Sequence, residues 1–120
     1  MEKRVLVVDD NTTFLSLVAI FLEASGFAVR EFSNPRLALD FLSKETGNFD
    51  LLVTDFEMPE MNGAELIAAI KGKQPSIRVI CLTGTPGAEN DCLEAGCDCF
   101  LEKPVRFRHL HEEIKKVLSN

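Results

Sequence analysis

The chain has neither tryptophan nor tyrosine, so intrinsic fluorescence offers little report of a conformational change. Long apolar runs are also missing: the longest, Leu17 to Leu22, has six residues, whereas a membrane-spanning helix needs roughly 20. The N-terminal segment Met1 to Arg4 is followed by only four apolar residues, too few for a secretory leader. We therefore expect no membrane segment and a cytoplasmic protein.

Basic residues are in the minority, because 13 Lys and Arg stand against 19 Asp and Glu and give a formal net charge of −6. Proteins that bind nucleic acid draw much of their affinity from cations that displace the counterions around phosphates. We therefore expect no direct nucleic-acid partner.

The four cysteines form no CxxC pair and lack the histidine spacing of a zinc or redox site. Free cysteines are usually buried and inert, so we expect reduced thiols. Three of them, Cys92, Cys97 and Cys99, lie close together in the sequence, which leaves an oxidative or metal role open as the alternative.

What the sequence does contain is an alternation of short β-rich runs with longer helical patterns. This is typical of βα units that feed a parallel sheet covered on both faces. At 120 residues and 46% hydrophobic content, we expect one domain with a continuous core. The predicted strands are 4–8, 27–32, 50–54, 77–82 and 98–101, and the predicted helices are 12–25, 35–46, 63–72, 87–95 and 105–118.

Three carboxylates stand where predicted strands end: Asp9 and Asp10 follow the first strand, and Asp55 follows the third. Ligands of open α/β sheets collect at the carboxyl ends of the strands. Carboxylates gathered there repel each other and shift each other's pKa unless a cation joins them. The pattern therefore predicts a hard divalent ion and indicates a metal-dependent phosphoryl acceptor.

Four segments together resemble the receiver domain of two-component response regulators: Asp9-Asp10, Asp55 to Pro59, Thr83-Gly84 and Phe100 to Pro104. The resemblance covers essentially the whole chain. It implies an α/β fold of the flavodoxin-like, doubly wound type, with five parallel strands in the order 2-1-3-4-5 and five helices. We expect one receiver domain over 1–120 without an effector domain, either as a stand-alone regulator or as a fragment of a larger one.

The resemblance also implies a role for each acidic residue. Asp55 would be the phosphoacceptor, attacking the phosphohistidine of a histidine kinase or histidine phosphotransfer protein. Asp10 and Asp55 would bind Mg²⁺ directly with the main-chain carbonyl of Glu57, and Asp9 mainly through water. Taken alone, Asp55 could instead cap a turn, and Asp10 or Asn11 could cap the first helix.

Further residues of the resemblance surround the expected phosphoryl group. Lys103 would contact the phosphoryl oxygens, turned toward them by a cis peptide bond at Pro104. Thr83 would donate a hydrogen bond to the same group, and Thr83 with Phe100 would form the conformational switch. The alternatives are a solvated lysine and a simple strand-ending turn at Thr83-Gly84.

The first helix is unusually apolar for this family. Beyond the expected core positions Phe14, Leu17, Val18, Phe21 and Leu22, it carries Leu15, Ala19 and Ile20. We hypothesise that this extra face receives the histidine-bearing partner or a second copy of the chain, giving a homodimer. The alternative is additional packing.

Two other functions remain to be compared with a phosphorylatable switch. A Mg²⁺-dependent phosphohydrolase with Asp55 as nucleophile would need a general acid, and none is evident in the Asp55-Phe56-Glu57 segment. A binding module that signals without phosphate would have no need of all the residues implied above. We therefore expect a switch and not a turnover enzyme.

The segment after Thr83-Gly84 begins with Thr85-Pro86-Gly87, which predicts that the fourth helix is short or starts late.

Overall fold

The computed structural model describes residues 2–119, so Met1 and Asn120, the two ends of the predicted domain, lie outside the described residues. Strands and helices alternate along this part of the chain. The strands are β1 (Arg4–Val8), β2 (Ala28–Phe32), β3 (Leu51–Asp55), β4 (Arg78–Thr83) and β5 (Cys99–Glu102). The helices are α1 (Thr12–Ala24), α2 (Pro35–Lys44), α3 (Gly63–Lys73), α4 (Ala88–Ala95) and α5 (Phe107–Leu118).

The five strands form one parallel sheet in the order β2-β1-β3-β4-β5, which confirms the predicted fold. In the register, Val8 at the end of β1 lies opposite Phe32 on one side and Thr54 on the other. The ends of β1 and β3 therefore meet at one edge of the sheet, and the residues that follow them share that edge.

The sheet separates two apolar layers. The α1 and α5 side holds side chains such as Val5, Val7, Val18 and Ile114, whereas Leu6, Val8 and others face α2, α3 and α4. Because helices cover both faces, the central strands β1, β3 and β4 are buried along almost their whole length. The edge strands β2 and β5 are only partly buried.

Asparagine side chains cap the N-termini of three helices, each of which follows the carboxyl end of a strand. Asn11 caps α1 by accepting a hydrogen bond from the Phe14 N–H (3.0 Å), and Asn62 and Glu65 form a reciprocal capping box on α3. Asn34 caps α2 by accepting from the Arg36 N–H (2.7 Å). These caps fix where each helix starts relative to the strand before it. Helix α4 is short and begins only after Gly87, as predicted.

The predicted orientation of α1 is only partly correct: Val18 and Leu22 lie in the core as expected, but three other positions differ. Leu15 and Ala19, which were expected on the extra exposed face, are each only 5% exposed, whereas the expected core residue Leu17 is 49% exposed. Leu15, Val18, Ala19 and Leu22 follow the i, i+3, i+4, i+7 spacing of one helix face, and that face packs on the sheet. Ile20 is 63% exposed, as predicted.

Within residues 2–119, every helix is too short or too polar to cross a membrane.

Candidate functional site

Three carboxylates converge at the carboxyl edge of the sheet. Asp9 and Asp10 follow β1, Asp55 is the last residue of β3, and one oxygen of each lies within 4.8 Å of the others. Asp9 is 2% exposed and Asp55 8% exposed, whereas Asp10 is open to solvent. The site is therefore buried on one side and accessible on the other.

The ammonium group of Lys103, which follows β5, lies between two of these carboxylates. Its Nζ donates a hydrogen bond to Asp9 Oδ2 (2.8 Å) and is 3.5 Å from Asp55 Oδ1. The peptide bond between Lys103 and Pro104 is cis. The lysine thus offsets part of the negative charge that the strand ends bring together.

Burial raises the pKa of Asp55 above its ordinary value, and the nearby charge of Asp9 raises it further. The Lys103 ammonium and the Phe56 N–H, which donates to Asp55 Oδ1 (2.8 Å), act in the opposite direction but do not cancel the effect. The ionised form of Asp55 is therefore destabilised in this environment, and an additional cation would stabilise it.

The donor set fits a magnesium ion. Three carboxylates supply hard oxygen ligands, and Mg²⁺ prefers such oxygens together with several waters. Asp10, Asp55 and Glu57 line a shallow, open depression of about 530 Å³, which leaves room for those waters. Among residues 2–119, this is the one acidic, histidine or cysteine cluster with the spacing of a metal site.

Backbone geometry next to Asp55 depends on Gly63, the first residue of α3. The Gly63 N–H donates to the Phe56 carbonyl (2.7 Å), and a Cβ atom at Gly63 would lie 2.5 Å from the Asp55 carbonyl oxygen. Real Cβ contacts are not that short, so only glycine allows α3 to begin this close to β3.

Thr83 ends β4 on the other side of the depression and is buried. Its Oγ1 accepts a hydrogen bond from the Thr85 N–H (2.9 Å), which leaves the hydroxyl proton available to donate to another group. Its main-chain carbonyl accepts from the Lys103 N–H (2.9 Å). Gly84 has open space where a side chain would be.

Phe100 in β5 is half-buried and packs against the apolar layer of α2, α3 and α4. Together with Thr83 and Lys103 it lines a cavity of about 290 Å³ between the α4 start and β5. The ring therefore has free space beside it and faces the same cavity as Thr83.

The family model of the response regulator receiver domain matches residues 5–115 of this chain. The chain belongs to this family. A curated relative, the response regulator receiver protein CpdR of Brucella abortus, is 35% identical over 118 residues, with 97% of each chain covered. Three further curated relatives are longer proteins, of which the chain spans 20%, 19% and 31%.

Solved receiver structures share the fold closely. The receiver domain protein of Methanospirillum hungatei superposes with a TM-score of 0.92 at 34% identity, covering 99% of this chain and 95% of that one. TrrA of Thermotoga maritima, solved in complex with Mg²⁺–BeF, superposes with a TM-score of 0.84 at 33% identity, covering 97% of this chain and 99% of that one.

Two contacts of this receiver domain were missed in the sequence. The Thr85 hydroxyl donates a hydrogen bond to Glu57 Oε1 (2.5 Å) and joins the loop after β4 to the loop after β3. The Phe14 ring, which was expected only in the core, lies over Lys103, with Nζ 4.5 Å from the ring centroid. Neither pair is close in sequence, and no local pattern marks them.

All four cysteines are free thiols. Cys81 and Cys92 are fully buried with their sulfurs 3.1 Å apart, and Cys99 donates to Glu113 Oε1 (3.5 Å). Burial is the main cause that raises the pKa of each thiol, to about 11 for Cys97 and about 12 for Cys99. Their environment favours the unreactive thiol form.

Proposed function

We propose that this receiver domain acts in a phosphorelay as a Mg²⁺-dependent phosphoacceptor, with Asp55 as the residue that is phosphorylated. The donor is a phosphohistidine of a sensor histidine kinase or of a histidine phosphotransfer protein. The observation that carries the proposal is the convergence of Asp9, Asp10 and Asp55 with the Lys103 ammonium at one sheet edge. A buried carboxylate beside a cation and an open depression suits attack on a phosphoryl group.

In the proposed reaction, a carboxylate oxygen of Asp55 forms a bond to phosphorus while the phosphorus–nitrogen bond of phosphohistidine breaks. The imidazole leaves with the bonding electron pair, and an aspartyl phosphate results. The Asp10 and Asp55 carboxylates and the Glu57 main-chain carbonyl would hold Mg²⁺, with Asp9 acting mainly through water. Bound there, the ion supplies positive charge beside the transferring phosphoryl oxygens.

Lys103 and Thr83 complete the proposed contacts with the phosphoryl group. The ammonium moves from the carboxylates to the phosphoryl oxygens, where it acts as a point charge. The Thr83 hydroxyl, whose proton is available for donation, hydrogen-bonds to the same group. The negative charge on the acceptor thus gains two donors from the ends of β4 and β5.

These contacts would turn phosphorylation into a change of shape. As the Thr83 hydroxyl moves toward the phosphoryl group, the Phe100 ring shifts within the cavity that the two residues share. Phe100 has no hydroxyl, so its contribution is steric. The phosphoryl group then shifts a population between two states, as other charge-adding modifications do.

We propose a switch and not a turnover enzyme, because Glu57, the acidic side chain two positions after Asp55, is not free to act as a general acid. The Glu57 carboxylate accepts a hydrogen bond from Thr85 instead. Under this proposal residues 1–120 act as one receiver domain in the cytoplasm, without direct contact to nucleic acid.

The proposed docking face for the kinase or phosphotransfer protein is the outer side of α1. Leu17 and Ile20 are large apolar side chains exposed there, whereas Leu15 belongs to the core. Exposed apolar residues at neighbouring positions favour a protein contact. A second copy of the chain is the alternative occupant, and a homodimer would then form.

Intact-mass analysis tests the phosphoacceptor role directly. The protein is incubated with phosphoramidate, which carries a phosphorus–nitrogen bond, in the presence of Mg²⁺ or of a chelator. We expect the wild type to gain the mass of one phosphoryl group only with Mg²⁺, and Asp55→Asn to gain none. Equal gain by Asp55→Asn, or release of many phosphates per chain, would contradict the proposal.

A further inference from the structure

The Lys103 ammonium has a third neighbour that carries no charge. Its Nζ lies 2.8 Å from Asp9 Oδ2, 3.5 Å from Asp55 Oδ1 and 4.5 Å from the centroid of the Phe14 ring. The ammonium therefore stands among two carboxylates and an aromatic face. An ammonium at this distance is attracted by the negative face of the ring.

The Phe14 ring is held in place from two directions. Its backbone N–H donates to the Asn11 cap (3.0 Å), which fixes the first turn of α1 directly after the acidic loop. The ring also packs on Phe107, with centroids 6.2 Å apart, and Phe107 is the first residue of α5, four positions after Lys103. The Phe14 ring thus lies between the first turn of α1 and the first turn of α5, close to the acidic residues.

The chemistry of the ring differs from that of the carboxylates in one respect. Under the proposed function, Asp9 and Asp55 turn to Mg²⁺ and the phosphoryl group, and the Lys103 ammonium must leave them. A carboxylate that stayed bound to the ammonium would compete with the phosphoryl oxygens, whereas a neutral ring attracts the cation without neutralising it.

We propose that Phe14 is a positioning residue for Lys103: its ring face keeps the ammonium at the acidic edge while the ammonium exchanges carboxylate partners for phosphoryl oxygens. This inference rests on the proposed function, because it assigns a way to position the lysine of that same site. It makes α1, through its first turn, part of the phosphoryl-binding machinery.

Three variants test the role of the ring. Phe14→Leu keeps apolar bulk and removes the aromatic face, and Phe14→Tyr restores the face. Phe21→Leu is the matched control, since Phe21 lies on the same helix and packs on the same Phe107 ring (5.2 Å) without contacting Lys103. If Phe14→Leu does not fold, Phe14→Met replaces it.

Two readouts are compared across these variants. The first is the rate of phosphorylation by phosphoramidate at saturating Mg²⁺. We expect this rate to fall about 3- to 10-fold in Phe14→Leu, because the variant loses a partly desolvated cation–π contact. The second is the NMR position of the Lys103 ε-protons, assigned with Lys103→Met. We expect them shifted upfield by the ring in wild type, Phe14→Tyr and Phe21→Leu, but at an ordinary lysine position in Phe14→Leu.

The ε-protons separate positioning from simple packing, because a loss of stability alone would leave them unmoved. A wild-type rate in Phe14→Leu, a rate loss that Phe14→Tyr does not rescue, or ε-protons that ignore the substitution would overturn the inference. If the wild type itself takes up no phosphoryl group, the proposed function fails, and with it the role of Phe14 in positioning. Shifted ε-protons would then support only the ring contact.

Discussion

Lys103 Nζ donates a 2.8 Å hydrogen bond to Asp9 Oδ2, although the two residues lie 94 positions apart in the chain. The bond joins the residue that follows the inner strand β1 to the residue that follows the edge strand β5. It also places one cation beside two of the three clustered carboxylates, so the lysine and a metal ion would share the same negative charge.

Replacing Lys103 with Met should separate its two effects. Without Mg²⁺, the variant should lose about 1–3 kcal/mol of unfolding free energy, because a partly buried carboxylate loses its ion-pair partner. Mg²⁺ should bind several-fold more tightly, since the competing positive charge is gone. Urea unfolding with and without Mg²⁺, together with a metal titration, measures both effects.

The exposed Lys44 in α2 provides the control for that experiment. Lys44→Met should change neither the metal affinity nor the stability by more than about 0.5 kcal/mol. Weaker Mg²⁺ binding by Lys103→Met would contradict the competition between the lysine and the ion.

The raised pKa of Asp55 predicts a pH-dependent stability difference between the wild type and Asp55→Asn. The favourable contribution of protonated Asp55 is fully present below its ordinary value of 3.8 and is lost as the pH rises through the raised pKa. In chelator at pH 7, Asp55→Asn should therefore be more stable than the wild type. The difference should shrink toward pH 4.

Unfolding curves of the two proteins between pH 4 and 8 measure this difference, with all samples metal-free. A wild type more stable than Asp55→Asn at pH 7 would mean that Lys103 and the Phe56 N–H outweigh the cost of burying the charge. Added Mg²⁺ should reverse the order of stability, because the ion binds the carboxylate form.

Gly63 and Gly84 form a matched pair for testing the close approach of α3. Gly63→Ala should destabilise the protein by about 1–3 kcal/mol, because its Cβ would lie 2.5 Å from the Asp55 carbonyl oxygen. Gly84→Ala should stay within about 0.5 kcal/mol of the wild type, since nothing lies within 4 Å of its Cβ. Thermal unfolding of both variants decides, and equal losses would argue against the close approach.

The role of the outer face of α1 in binding the phosphodonor protein can be tested separately from the phosphorylation of Asp55. Leu17→Glu with Ile20→Glu should slow phosphotransfer from a histidine phosphotransfer protein by at least about fivefold, the effect of losing an apolar anchor. Phosphorylation by phosphoramidate should remain at the wild-type rate, because neither residue contacts the acidic site. Leu37→Glu, at a 53% exposed position of α2, is the control. An unchanged transfer rate would exclude this face as the docking surface.

The thiols should resist alkylation in the folded protein. Burial raises the pKa of Cys99 to about 12, and Glu113 adds to the effect, so little thiolate exists at pH 8. Iodoacetamide should label no thiol rapidly at pH 8, and labelling of Cys99 should begin as the pH rises toward that value. Mass analysis after timed quenching, with denatured protein as the reference, gives the rates. Glu113→Gln should accelerate labelling of Cys99, and an equal rate would show that burial alone controls it.

Much of the fold could be predicted because local patterns mark it. The apolar run before Asp9 identifies a strand buried on both faces, and Asn11, one of the two candidate caps of the first helix, begins α1. The convergence of Asp9 with Asp55 follows from the rule that ligands collect at strand ends. The strand and cap signals depend only on residues close together in sequence, whereas the pairing of β1 with β3 was expected from the resemblance to receiver domains.

Two features could not be predicted: which apolar residues of α1 are buried, and which residues far apart in sequence are in contact. In α1, apolar residues occupy so many positions that the pattern does not distinguish Leu15, which is buried, from Leu17, which is exposed. The ring of Phe14 and the ammonium of Lys103 meet only because α1 and the loop after β5 reach the same edge. Such a contact requires the tertiary structure.

The hydrogen bond from the Lys103 N–H to the Thr83 carbonyl has a mechanical consequence. The two residues that would contact the phosphoryl group under the proposed function are joined through their main chains. Under the proposed function, a displacement of Thr83 toward the phosphoryl group would also displace the Lys103 backbone. A state in which only one of the two residues contacts the phosphoryl group would therefore be disfavoured. Under that proposal, this single bond between neighbouring strand ends would make the response of the domain more cooperative.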